Sequence, residues 1–245
     1  MTTFKTLFCR QIKAYFCSPV AYVMIMVFLI VSGLCFCRMM LQSQQECMQI
    51  GDLLFGCNFF WLLVLVVIAL LTMHLFAEEK LSGTLESLLT APVTDTAVIM
   101  AKYFAALFFF ILMCMPTVLY LIIVRAFDAI IGPVDVVSVI TGYFGLFLIA
   151  ASYIAFGLFV SSLTRSQMIS AIVCFAGIAL AFYCNQFVYI VRGMTSEGVL
   201  GYISGFSHVY DFSHGILDTQ PLVFYLSAII FFLFATVKTL ELRNL

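Results

Sequence analysis

The chain has 245 residues, of which 64% are hydrophobic and 9% charged, with a net charge of −1. Soluble domains carry about 25% charged residues, so no separate water-soluble domain can be cut from this sequence. The near-zero charge gives nucleic acid nothing to bind, and the chain reads as an integral membrane protein without a nucleic-acid partner.

Six intervals are free of charge: Lys13 to Arg38, Asp52 to Glu78, Lys102 to Arg125, Asp135 to Arg165, Arg165 to Arg192, and Asp218 to Lys238. Each holds enough apolar residues for a helix crossing about 30 Å of hydrocarbon. Strand-period alternation is absent, so the expected class is an all-α integral membrane protein with six transmembrane helices. Six spans put both termini on one side. That side would carry Lys5, Arg10, Lys13, Lys80, Lys102, Arg165, Lys238 and Arg243; the other would carry Arg38, Arg125 and Arg192. The bias makes both termini cytoplasmic.

Residues 1–17 come first. Phe4, Leu7, Phe8, Ile12, Tyr15 and Phe16 recur at helical spacing, with Lys5, Arg10 and Lys13 largely off that stripe. This predicts an amphipathic helix lying in the cytoplasmic interface of the lipid membrane. A cleaved signal peptide is disfavoured, because the apolar region is too long and no A-x-A site follows it. Ser18-Pro19 restarts the helix, with Ser18 as N-cap. An oxidising outside would permit a bridge between Cys47 of the first outer loop and Cys57; unpaired thiols are the preferred reading. The second span ends near His74, either a titratable group or a histidine at headgroup level.

The stretch 78–92 is a polar insert between apolar spans, charged at Glu78, Glu79, Lys80 and Glu86. Leu85, Leu88 and Leu89 fall at i, i+3 and i+4, on one face of a short helix between Gly83 and Pro92. Such a face lies on the membrane, docks into another protein, or belongs to a solvated loop. In the third span, Pro116 predicts a mid-span kink. The fourth and fifth spans carry Ala151-x-x-x-Ala155 and Gly177-x-x-x-Ala181, which suit close packing either within the subunit or between subunits. Ser161 to Gln167, with Thr164 and Arg165, reads as a tight cytoplasmic turn.

The outer segment 193–218 is long yet apolar, with Val199, Leu200, Tyr202, Ile203, Phe206, Val209, Tyr210 and Phe212. It predicts short re-entrant helices before the last span, with their backbone covered by protein. His208, Asp211 and His214 repeat at i, i+3 and i+6. A metal site is one reading. The sixfold spacing turns about 120° and Gly215 ends the helix, so a surface cluster with no metal is the preferred one. No G-x-x-x-x-G-K-[ST] occurs, no lysine follows a glycine, and no charged pair sits mid-span.

The run Glu78-Glu79-Lys80-Leu81-Ser82-Gly83-Thr84-Leu85-Glu86-Ser87-Leu88-Leu89-Thr90-Ala91-Pro92 resembles the coupling segment of ABC-2 type transporter permeases, most closely the gliding-motility-associated group. Phe212-Ser213-His214-Gly215-Ile216-Leu217-Asp218 resembles that family's approach to its last span. The resemblance covers nearly the whole chain and implies a single transmembrane domain over 1–245, with an elbow helix at 1–17. It implies an ATPase-binding site at Glu78, Glu79, Lys80, Gly83, Thr84, Leu85, Glu86, Leu88 and Leu89, and a second cytoplasmic loop at Thr164 and Arg165. It implies an outer gate at Phe206, Phe212, Gly215 and Asp218, and a titratable counterpart of a basic residue at His74. The expected role is a non-catalytic exporter subunit in a bacterial inner membrane. Its partners would be an ABC ATP-binding subunit, a second permease copy or a homologous permease, and an auxiliary membrane subunit. No cofactor is expected in this chain, with ATP and Mg held by the partner. The alternatives are a structural anchor of a larger envelope or motility machine, and an intramembrane enzyme using His208, Asp211 and His214. Lipids, lipid-linked glycans and hydrophobic drugs all suit an apolar pathway.

Overall fold

The computed structural model describes residues 2–43, 55–77, 95–120, 122, 136–164, 166–192 and 204–242. Among them the regular structure is helical: α1 (Thr2–Cys17), α2 (Pro19–Ser43), α3 (Asn58–Met73), α4 (Asp95–Cys114), α5 (Val136–Leu163), α6 (Gln167–Arg192), α7 (Gly205–Ser213) and α8 (Thr219–Glu241). Five are long and apolar enough to cross a membrane, over Pro19–Leu41, Thr96–Tyr120, Val137–Leu163, Gln167–Cys184 and Thr219–Glu241. The apolar helix α3 is shorter, at 16 residues. At 1.5 Å per residue it extends about 24 Å.

Contacts along the helices fix their directions. Ser161 of α5 meets Phe76 just after α3, Thr117 after α4 meets Tyr143 of α5, and Cys174 and Phe182 of α6 meet Thr72 and Trp61 of α3. Phe232 of α8 packs on Phe156 and Phe159 of α5. Tyr225 of α8 meets His208, whose helix is held by Thr141 of α5, while for α2 the preceding Tyr15 meets Leu71 and Phe36 meets Tyr120 after α4. Hence α3, α5 and α8 run one way and α2, α4 and α6 the other. The end carrying Met73, Asp95, Leu163 and Gln167 is the near end; the opposite end is the far end.

Helix α5 is the hub. It packs on α8, α7, α3, α6 and α4 and is the most buried of the five spans. Its small residues make this possible. A Cβ on Gly145 would lie 2.4 Å from the Phe212 ring, and one on Gly157 would lie 2.3 Å from the Thr72 hydroxyl. Ala151 and Ala155 are buried, and the Tyr103 hydroxyl donates to the Ala151 carbonyl at 3.2 Å. Gly177 of α6 is closed over by Phe156 of α5. Ala151 and Ala155 of α5 therefore serve packing within the subunit, whereas of the α6 pair only Gly177 is seen against a neighbouring helix.

The amphipathic stripe of α1 faces protein. Phe4 and Phe8 meet Phe104 and Phe108 of α4, and Tyr15 stacks on Phe109 at 5.1 Å. The Tyr15 hydroxyl donates to the Leu71 carbonyl at 3.3 Å, while Lys5, Arg10 and Lys13 are exposed. Ser18 separates α1 from α2, and its carbonyl accepts from Ala21 at 3.2 Å.

Two expectations need correcting. Pro116 does not kink the middle of its span; it sits in a 3-10 turn, Met115–Thr117, close to the far end of Thr96–Tyr120. The missing proline N–H is harmless there, and the Thr117 hydroxyl closes the turn by donating to the Cys114 carbonyl at 2.6 Å. The Ser161–Gln167 stretch is not all turn. Ser161, Ser162 and Leu163 finish α5 and Gln167 begins α6, because the serine hydroxyls find carbonyl or amide partners without leaving the helix. Cys57 is buried at the head of α3, and Cys47 lies outside the described residues.

If Gly157 is the contact that seats α5 on α3, Gly157→Leu will lower the stability of the detergent-extracted chain by about 1–3 kcal/mol. Ala176→Leu, on an exposed face of α6, will not. Equal thermal midpoints for the two variants would contradict this packing.

Candidate functional site

The near end of the bundle is organised around the residues that leave α3. The helix stops at Met73, and the Leu75 N–H turns back to the Thr72 carbonyl at 3.2 Å. The next two amides, of Phe76 and Ala77, both donate to the Ser161 hydroxyl of α5, at 3.1 and 3.2 Å. Ser161 in turn reaches the Met73 carbonyl at 3.5 Å. From α4, Lys102 donates its ammonium to the Leu75 carbonyl and lies 4.4 Å from the centre of the Phe76 ring. Lys102 is only 4% exposed.

Each part suits the chemistry. A serine hydroxyl has two acceptor lone pairs, so it can take two successive amides. A hydrogen bond from a charged donor contributes about 1.5–3 kcal/mol, and a desolvated cation–π contact about 2 kcal/mol. Together these ties bolt 75–77 to α4 and α5 just before the charged run that begins at Glu78. Lys102 and Ser161 were not singled out as site residues by sequence reasoning. The available signal was a lysine seven residues inside a helix whose only other charge is Asp95 at its first position. Burial also removes Lys102 from the surface charges used for orientation, though the remaining ten keep the same bias.

The expected ATPase-binding residues Glu78, Glu79, Lys80, Gly83, Thr84, Leu85, Glu86, Leu88 and Leu89 lie outside the described residues, as does Arg165. Thr164 is half-buried, and its N–H and hydroxyl both donate to the Val160 carbonyl at 3.2 Å. His74 sits half-buried in the turn after α3.

At the far end, α7 is tied to three helices. The Thr141 hydroxyl of α5 donates to the Phe212 carbonyl at 2.9 Å. Ser204 donates to the Phe182 carbonyl of α6 at 3.3 Å. His208 Nδ1 lies 3.0 Å from the Tyr225 hydroxyl of α8. The four expected outer-gate residues have distinct places here. Phe206 meets Phe182 edge-on at 6.2 Å, and Phe212 is buried against Gly145. Gly215, at φ +80°, ends α7. The Ile216 and Gly215 N–H groups bond back to the Asp211 and Phe212 carbonyls, the paired closure that a left-handed glycine permits. Exposed Asp218 holds the N-cap position of α8 without a side-chain cap bond.

The surface cluster expected of His208, Asp211 and His214 is not what forms. His208 points into the bundle and is buried, while His214 donates from Nδ1 back to the Tyr210 carbonyl of its own helix at 2.8 Å. Among the described residues no three His, Cys, Asp or Glu side chains gather as a metal site would require.

Two outcomes follow from these ties. Ser161→Ala leaves the Phe76 and Ala77 amides without their acceptor, at about 1–2 kcal/mol, so their hydrogen exchange will speed up about 5–30-fold. Unchanged exchange at both amides would refute the bolt. At the far end, burial pushes the His208 imidazole below its ordinary pKa of 6.5. The released form then binds a proton that the docked form refuses, so docking of α7 is full above about pH 6.5 and weakens as pH falls. The titratable group facing His208 is the Tyr225 hydroxyl of α8, and the Phe224 ring of the same helix packs beside the imidazole. Exchange over 205–213 will rise on acidification, and His208→Gln will flatten that dependence.

Residues 11–180 match a family model described as ABC-2 family transporter protein. No curated protein matches the chain. The matched region runs from α1 into α6 and includes the whole near-end bolt and residues 78–92. With the five long apolar helices, it describes a multi-pass membrane protein. Since the match takes in more than half of its length, the chain belongs to the ABC-2 transporter family.

Proposed function

We propose that this chain is the membrane-spanning permease subunit of an ABC-2 exporter, driven by a separate ATP-binding subunit that holds the ATP and Mg. Permeases of the family normally work with such a subunit. The observation that carries the reading is the bolt at 75–77. A coupling helix at 78–92 is useful only if its movement reaches the spans. Lys102 and Ser161 connect the preceding residues directly to α4 and to the hub α5.

In this reading α3 completes six spans, the near end and both termini are cytoplasmic, and Thr164 and Arg165 form the second cytoplasmic loop. The outer segment 193–218 is re-entrant, and Phe206, Phe212, Gly215 and Asp218 cap the outer side of the pathway. A second permease copy or a homologous permease completes the translocation pathway, and an auxiliary membrane subunit is a further partner. The chain stands nearest the gliding-motility-associated group, in a bacterial inner membrane.

Glu86→Lys tests the central part. In the docked state the Glu86 carboxylate faces a donor on the ATPase beside Leu85, Leu88 and Leu89. Losing one member of a buried pair costs about 2–5 kcal/mol. A loss of about 3 kcal/mol cuts association about a hundredfold. The variant will insert normally but lose co-purification of the ATPase, or leave ATP hydrolysis insensitive to the permease. Glu46→Lys serves as control. Wild-type binding, stimulation and transport in Glu86→Lys would reduce 78–92 to a connecting loop.

A further inference from the structure

A cavity of about 220 Å³ lies between α5, α6 and α8. Helices α6 and α8 each pack on α5 but have little contact with one another, so the cavity is a gap between them floored by α5. Small side chains keep it open: Gly177 and Ala181 on α6, and Ala228 on α8. A Cβ on Gly177 would lie 2.7 Å from the Phe156 ring, which forms part of the floor.

The surroundings name the ligand class. Ile172, Val173 and Leu180 of α6, and Leu226, Ile230 and Phe231 of α8, are exposed apolar side chains on the two helices flanking the gap. In a multi-pass membrane protein these side chains meet lipid. Tyr153 and Tyr225, both buried, line the slot together with Ser152, and the Tyr225 hydroxyl is held by His208. The slot is thus mostly apolar and set between lipid-facing walls. Its volume exceeds the about 150 Å³ of an engineered cavity that takes up benzene, so it has room for a slender apolar guest.

We propose that this slot is a binding site for one linear acyl chain of a membrane lipid, admitted between α6 and α8. The site rests on the membrane location of the chain and stands apart from the ATPase reading.

The test reconstitutes the full chain in phosphatidylcholine vesicles. One arm contains a trace of phosphatidylcholine with a diazirine at the end of one acyl chain; the other contains a free fatty acid with the same group. After illumination, labelled residues are mapped by mass spectrometry. Label on Phe156, on the floor of the slot, in either arm supports the site, and the arm that labels identifies the source of the chain. In Ala228→Phe, and separately in Ala181→Leu, that label will be lost while label on the exposed α2 residues Met26, Ile30 and Leu34 persists. Label spread over the exposed faces of α2, α6 and α8 with none on Phe156 would overturn the proposal. So would undiminished Phe156 label in the filled variants. If neither variant folds, the wild-type pattern decides. Disulfide joining of two copies through Ala228→Cys, with the other cysteines replaced, would assign the slot to subunit assembly and also overturn it.

Discussion

Backbone groups buried in a membrane protein must be satisfied by protein, and the end of α3 is where that requirement shapes the structure most. The helix releases its backbone at Met73, before the charges begin at Glu78. Ser161 takes the freed amides, and Lys102 takes the Leu75 carbonyl. An ammonium so deeply buried needs such company, because desolvating a lone cation is costly. In return the lysine draws α4 onto the segment that α5 already holds. Three helices therefore meet at one short piece of main chain. Because the ties run to backbone atoms, they are indifferent to most side-chain changes at 75 and 77.

The far end solves the opposite problem. A nine-residue helix is too short to be stable by itself. Helix α7 holds because each of its three neighbours supplies a hydrogen bond, and because Phe212 fills the space left by Gly145. The glycines of α5 and the aromatic rings around them thus form one device. The hub helix carries little bulk of its own and is surrounded by side chains that supply it.

Features written in one helix at a time were legible in the sequence. Five of the six charge-free intervals hold a helix long and apolar enough to span, the 3.6-residue stripe of α1 marks its buried face, and Gly215 marks the end of α7. Features that depend on a second helix were not. Nothing between Asp52 and Glu78 says that the helix stops at Met73, since the acceptor responsible is Ser161, 85 residues beyond Phe76. Lys102 resembles a boundary charge until Phe76 and Leu75 are seen beside it. The three evenly spaced groups of α7 resemble a ligand set until Tyr225 claims His208. The small residues of α5 and α6 look alike whether they serve a subunit interface or an internal one. Phe212 and Thr72 decide that question for α5, and each lies on a chain segment read separately.

The docked position of α1 has a consequence for how the protein is made. Tyr15 is held by Leu71 and by Phe109, and the latter is synthesised about ninety residues later. At about 5–20 residues per second, that is a delay of about 5–20 s. Throughout it the aromatic stripe has only the lipid surface to lie on, with Lys5, Arg10 and Lys13 turned to water. The surface-lying helix expected from the amino-terminal sequence and the docked helix in the folded bundle are then successive stages of one segment during biogenesis. Arrival of α4 in the bilayer is the event that converts the first into the second.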